Sequence, residues 1–138
     1  MRLLFVCVHN SGRSQMAEAF TRILSGGNVE AVSAGTIGGS ELNPMVVEAM
    51  RERGIDITGQ HPRLLTQEMV SAADYAYTMG CAIDDVCPAV FVPSEDWRLD
   101  DPAGQPLEKV REIRDLLEAK VRATLKNHGH EPVARGQT

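Results

Sequence analysis

The stretch that most constrains the fold is the first one. Leu3-Leu4-Phe5-Val6 is an unbroken apolar run, the pattern of a strand covered on both faces rather than one with a wet side. The polar segment Cys7-Val8-His9-Asn10-Ser11-Gly12-Arg13-Ser14 follows it. From about Ser14, Met16, Phe20, Ile23 and Leu24 recur at helical spacing until Gly26-Gly27 ends the pattern. A doubly covered strand that feeds a helix through a short loop belongs in a parallel sheet wrapped by helices. Such sheets bind ligands beyond the carboxyl ends of their strands. The first strand ends on Cys7, so that is where a site is expected.

The rest of the chain continues the alternation. Val29 to Val32 reads as a second strand. Asn43 is placed to cap a helix that opens on Pro44, buries Val46, Val47 and Met50, and stops before Gly54. Thr66 caps a shorter helix running through Val70 and Ala73. Tyr75 to Met79 and Ala89 to Val92 read as strands, and Leu107 to Leu125 as a long amphipathic helix turning Val110, Ile113, Leu117 and Val121 inward. The expectation is an α/β fold, a four-stranded parallel sheet with helices on both faces. It forms one domain over residues 1–126, followed by a polar, flexible tail over 127–138. The 138 residues suit one such core.

Composition narrows the partners. The Leu3–Val8 run is too short for a signal-peptide core or a membrane span, so a reducing cytoplasm is expected. Three cysteines there point to catalysis or metal binding rather than to a disulfide framework. A formal net charge of −5 argues against nucleic acid and acidic membrane as partners. It also gives no long-range pull on an anion, so any anion site must be built locally.

The loop after the first strand supplies the parts for one. Successive backbone N–H groups from Val8 to Ser14 can form a concave nest that ends on a helix N-terminus and fits a tetrahedral oxyanion. Gly12 is expected to take a positive φ. Arg13 offers a planar fork for two anion oxygens. The same field favours the thiolate of Cys7, the reactive form, and Ser14 can donate its hydroxyl hydrogen to it. His9 reads as a solvated loop residue without a role of its own. His128-Gly129-His130, in the tail, reads as solvated rather than metal-binding.

The segment CVHNSGRSQMAEAF resembles the phosphate-binding loop and first helix of low-molecular-weight protein tyrosine phosphatases and of the arsenate reductases that share their fold. The likeness continues through Val32-Ser33-Ala34-Gly35, Gly54-Ile55-Asp56-Ile57 and Trp97-Arg98-Leu99-Asp100-Asp101-Pro102-Ala103-Gly104. It implies the three-layer sandwich of that family. It also implies a general acid at the aspartate directly before proline, Asp101, with Asp100 as the fallback, to protonate the departing oxygen.

Two activities share this loop. A phosphatase needs one thiolate, an arginine and an acid. A reductase must also deliver two electrons to As(V), so it needs further thiols, and the chain supplies Cys81 and Cys87. A second thiol can attack the Cys7 sulfur, release arsenite and leave a disulfide, and a third can carry that disulfide outward. Ala103-Gly104-Gln105 follows the Asp-Pro pair where the tyrosine phosphatases have aromatic residues, which favours the reductase. The resemblance to thioredoxin-coupled arsenate reductases implies a triple-cysteine relay through Cys7, Cys81 and Cys87. It implies arsenate as substrate, with phosphate and sulfate as competing anions. The reductant is either thioredoxin or a small thiol such as mycothiol or glutathione. No tightly bound cofactor is expected. Some relatives bind potassium beside the loop, and Asn10, Glu18 and Ser33 occupy the corresponding positions.

Overall fold

The computed structural model describes residues 1–37, 41–79 and 94–132. Four strands, β1 (Arg2–Cys7), β2 (Glu30–Gly35), β3 (Tyr75–Thr78) and β4 (Ser94–Asp96), form one sheet in the order β2-β1-β3-β4, every pairing parallel. The helices are α1 (Arg13–Leu24), α2 (Pro44–Arg51), α3 (Gln67–Ala72) and α4 (Leu107–Asn127).

The unbroken apolar run is central in the sheet for the reason its pattern suggests. Leu3, Phe5 and Cys7 point into the main core with α1, α2 and α4, while Leu4 and Val6 pack with Val70 and Ala76 on the opposite face, beneath α3. The three-layer arrangement follows from that division. Asn43 caps α2 by accepting from the Met45 N–H at 2.9 Å, and Thr66 caps α3 through the Met69 N–H at 3.2 Å. Among the described residues no helix is long and apolar enough to cross a membrane.

Two expectations change, and one strand went unread. β2 runs on to Gly35 instead of stopping at Val32, because Ser33 and Gly35 are buried by polar and backbone contacts that an apolar pattern cannot register. The last described strand is Ser94–Asp96, polar throughout and at the sheet edge, where alternation is not required. The expected strand at Ala89–Val92 lies outside the described residues. Finally, α4 reaches Asn127, and His128 is not solvated: its Nε2 lies 2.8 Å from the Tyr77 hydroxyl, and its ring meets Tyr75 edge-on. Residues 133–138 of the expected tail lie outside the described residues.

A charged clasp joins α2 to α4. Arg111 and Arg114 both donate to the Glu52 carboxylate, at 2.6 and 2.8 Å in their shortest contacts, and Arg114, itself buried, also donates to the Ala49 carbonyl at 2.9 Å. The hydrogen bonds from Arg111 and then Arg114 hold the Glu52 carboxyl down to about 2, against an ordinary 4.5. A carboxyl held lower in the folded chain stabilises it fully above the ordinary value and loses that contribution as pH falls through the folded one. Glu52→Gln should therefore lower the melting temperature at neutral pH. The gap between the two proteins should close as pH falls from 4.5 towards about 2. Thermal melts across that range check this, and a gap unchanged by acid would show that the clasp is not ionic.

Candidate active site

All four strands are parallel, so Cys7, Gly35, Thr78 and Asp96 end at one edge of the sheet. The Cys7–Ser14 loop curls over that edge. Asn10 makes the left-handed step in it, at φ 57°, and Gly12 does not, with φ −144°. The expectation of a positive φ at Gly12 is thus corrected. Glycine is required there by proximity: a β-carbon would lie 2.8 Å from Pro102 Cγ and 3.3 Å from Val46 Cγ2. Asparagine tolerates the left-handed region better than most residues, and Asn10 is fully buried and held from several sides.

The hydrogen-bond directions around Cys7 can be worked out from groups that have no choice. The Arg63 N–H can only donate, and it lies 2.7 Å from the Asn10 side chain, so the atom it meets is Oδ1. Nδ2 then faces the Ser14 hydroxyl at 2.7 Å and donates to it. With its oxygen accepting from Asn10, Ser14 points its own hydrogen at Cys7 Sγ, 2.8 Å away. The Asn10 N–H adds a second donor to the sulfur at 3.3 Å. Cys7 is buried, and its sulfur is set up as an acceptor, the arrangement a thiolate needs.

Arg13 opens α1 and is nearly buried. Its Nη1 donates to the carbonyls of Met79 at 2.6 Å and Leu99 at 2.8 Å, while Nη2 stands 3.8 Å from Asp101 Oδ2. One guanidinium thus ties the cysteine loop to the end of β3 and to the loop after β4. The two aspartates part company here. Asp100 pairs with Lys109 at 2.9 Å, and that hydrogen bond, with the lysine charge, holds its carboxyl below the usual range. Asp101 turns towards Arg13, its Oδ1 accepting from the Ala103 N–H at 2.9 Å. His9 is exposed, as its loop position suggests. Cys81 and Cys87 lie outside the described residues.

Glu18 and Ser33 pair with each other, and Asn10 is joined to them through Arg63. Glu18 Oε1 accepts from the Ser33 hydroxyl at 2.5 Å and faces Arg63 Nη1 at 3.4 Å, and Oε2 pairs with Arg22. Asn10 Oδ1 accepts from the Arg63 N–H and from Gln15 Nε2. These oxygens already face donors, two of them guanidinium groups, so the set does not fit a potassium ion.

Two features escape a reading by motif. A β-carbon on Gly35 would come within 2.7–2.9 Å of backbone atoms of Val8, His9 and Asn10, so strand β2 passes directly against the loop. Asn43, the α2 cap, also donates its N–H to the Ser11 carbonyl at 3.0 Å, and its side chain reaches the Pro102 carbonyl at 3.4 Å. Only a cluster of small residues in the sequence hints at the first, and nothing in it hints at the second.

Residues 2–134 match the family described as low molecular weight phosphotyrosine protein phosphatase. The chain belongs to that family. Within it, the chain is 35% identical over 121 residues to arsenate reductase 2 of Staphylococcus epidermidis, across 86% of this chain and 92% of that one. A structure of an arsenate reductase in the phosphate binding state superposes with TM-score 0.83 at 33% identity, over 91% of this chain and 97% of that one. A thioredoxin-dependent arsenate reductase of Corynebacterium glutamicum gives TM-score 0.77 at 38% identity. That match covers 91% of this chain but only 60% of the longer Corynebacterium chain.

The family loop is rigid only if its neighbours leave it room. Gly35→Ala should push the Val8–Asn10 backbone out of line and weaken phosphate or sulfate binding by about 10²-fold, since an ångström of misplacement costs that much. The protein should still melt cooperatively. Calorimetric titration with phosphate measures the loss, and unchanged affinity would mean that the loop tolerates the intruding carbon.

Proposed function

We propose that this protein reduces arsenate to arsenite, a step of arsenic detoxification, with Cys7 as nucleophile and Cys81 and Cys87 as the source of electrons. The observation that carries the reading is the Arg13 guanidinium. It binds the Met79 carbonyl at 2.6 Å, so the anion loop is tied to the chain two residues before Cys81. Two residues of extended chain span at most about 7 Å, so the covalent chain itself limits how far Cys81 can be from that anchor.

In the proposed reaction the Cys7 thiolate attacks As(V), and Asp101 protonates the oxygen that leaves as water. Backbone N–H groups from Val8 to Ser14, with Arg13, hold the remaining oxygens. The Cys81 thiolate then attacks Cys7 Sγ. As the S–S bond forms, the S–As bond breaks and its electron pair stays on arsenic, which leaves as arsenite. Cys87 attacks Cys81, frees Cys7 and leaves a Cys81–Cys87 disulfide, which an external thiol donor reduces. Thioredoxin is the proposed donor, given the named Corynebacterium neighbour, and a small thiol such as mycothiol or glutathione is the alternative. The cycle needs a reducing compartment, which supports the cytoplasm. No step runs through a potassium ion.

The same loop, arginine and acid suit phosphate monoester hydrolysis, so a side activity of that kind is part of the proposal. A phosphotyrosine-specific site is disfavoured. Among the described residues the aromatic side chains are committed elsewhere: Phe5, Phe20, Tyr77 and Trp97 are buried, and Tyr75 stacks on Tyr77.

Arsenate-dependent NADPH oxidation, coupled to a thioredoxin system and separately to small thiols, tests the activity. Cys7→Ser should abolish it. Asp101→Asn should slow the first step by about 10²–10⁴-fold, with phosphate still competing for the loop, while Asp100→Asn should do little. The reverse ranking would move the acid by one residue.

The relay has its own test. On a regular helix, residues six apart are displaced by about 9 Å along the axis, whereas a disulfide needs α-carbons about 4.4–6.8 Å apart. The 81–87 segment must therefore be non-helical whenever its two sulfurs bond. Cys87→Ser should trap a Cys7–Cys81 disulfide after one turnover, seen by peptide mapping. Full multiple turnover by the Cys81→Ser, Cys87→Ser double variant would show that the electrons come from elsewhere.

A further inference from the structure

We infer that Gln15 is a positioning residue for the nucleophile, acting through Asn10. Gln15 is the third residue of α1 and is fully buried although it is polar. Its Nε2 has three acceptors around it: the Asn10 carbonyl at 3.0 Å, Asn10 Oδ1 at 2.9 Å and the His61 carbonyl at 3.0 Å. Two of those are backbone carbonyls, which can only accept, so the group facing them is the NH2. The Gln15 side-chain oxygen then faces the other way, where Gln60 Nε2 donates to it at 2.5 Å. The amide orientation is set by its surroundings.

The target of that grip matters. Asn10 is the left-handed residue of the loop, and it governs both donors to Cys7 Sγ: its own N–H directly, and the Ser14 hydroxyl through Nδ2. Gln15 takes up the Asn10 carbonyl, which a left-handed turn points away from the strand hydrogen bonds. It also braces Oδ1 on the side that the Arg63 N–H leaves open. If the NH2 group is lost, Asn10 Oδ1 accepts from the Arg63 N–H alone, and the Asn10 carbonyl loses its side-chain donor. The amide can then tilt about the bond to Arg63, which loosens Nδ2 from Ser14 and leaves the Ser14 hydrogen less firmly aimed at the sulfur. Donors to the sulfur favour the thiolate over the thiol, so loosening them should raise the pH at which Cys7 becomes reactive. Gln60 and His61 extend the same grip into the 60–63 loop, which ends in the Arg63 contacts to Asn10 and Glu18.

The test reads Cys7 alone in the full-length chain. The rate of alkylation by iodoacetamide is followed against pH, with mass spectrometry separating the Cys7 peptide from the one that carries Cys81 and Cys87. Gln15→Met keeps the length and removes the polar group. The pH midpoint of Cys7 alkylation should rise, as expected when hydrogen bonds to the charged form are weakened. Gln15→Glu keeps the shape but sets oxygen against three oxygens, and its midpoint should rise further than that of Gln15→Met. If Gln15 only fills space, the midpoint stays put in Gln15→Met while the melting temperature falls, and the inference is overturned. If Gln15→Glu does not fold, the Gln15→Met profile decides alone. The measurement uses neither arsenate nor a reductant, so its failure is distinct from failure of the reductase reading.

Discussion

The structure around the site depends on one buried amide, the side chain of Asn10. A residue with a β-carbon that takes a left-handed turn costs conformational energy, and the cost is tolerated only where the surroundings over-determine the position. Here they do. The Asn10 side chain accepts the Arg63 N–H and a Gln15 hydrogen and donates to Ser14. That set of bonds reverses the chain after β1, so that the Asn10 N–H turns back to the Cys7 sulfur. It also gives the Cys7 sulfur its hydrogen bonds. Remove the directionality of this one group and the loop would still close, but the Ser14 hydrogen would no longer be aimed at the sulfur.

Once the loop is fixed, the neighbouring elements are spaced by what it can accept. Strand β2 comes so close that only glycine fits at its last position, and Pro102 comes so close that only glycine fits at position 12. These two contacts bracket the loop, one from the sheet and one from the segment that carries Asp101. α2 is positioned by the same economy of groups: Asn43 caps its own helix and also bonds the loop and the acid segment. On the far side of α2, Glu52 and the arginines of α4 hold the helix to the core. The segment that carries Asp101 is thus held on both sides, by the Leu99 carbonyl on Arg13 before it and by Pro102 against the loop after it.

How much of this a reader of the sequence can recover depends on which force is at work. The apolar run of β1, the capped start of α2 and the inward stripe of α4 are products of burial and capping, and both leave periodic or local marks. The cysteine loop is legible for a different reason, because an anion nest needs particular residues in a short stretch. What stays hidden is contact between distant parts. Ser33 and Gly35 extend β2 past its apolar pattern because of partners in α1 and the loop. Gly12 is glycine on account of Pro102, some ninety residues away, and not because of its own φ. β4 has no apolar alternation because an edge strand does not need it. His128 leaves the tail for the core edge because Tyr77 offers its phenol. In each case the deciding neighbour is remote in the chain, and no local pattern can name it.

The remaining question is how a chain with net charge −5 would hold the oxyanion proposed for it. Long-range attraction is unavailable, so the site relies on short-range, oriented groups that need not reorganise when the anion arrives. Arg13 illustrates the cost of that strategy. A guanidinium with only 5% of its residue surface exposed must be satisfied before any ligand binds, and two carbonyls do this. Carbonyls neutralise no charge, so the cation keeps its full attraction for an anion while losing its freedom to move. Had Asp101 closed on Arg13 to form a tight ion pair, the charge would be spent. At 3.8 Å, with its other oxygen turned to the Ala103 N–H, the carboxylate stands beside the arginine without cancelling it. The same two carbonyls belong to the segments that follow β3 and β4. The guanidinium that opens α1 beside the loop is therefore also a fixed point that both segments share.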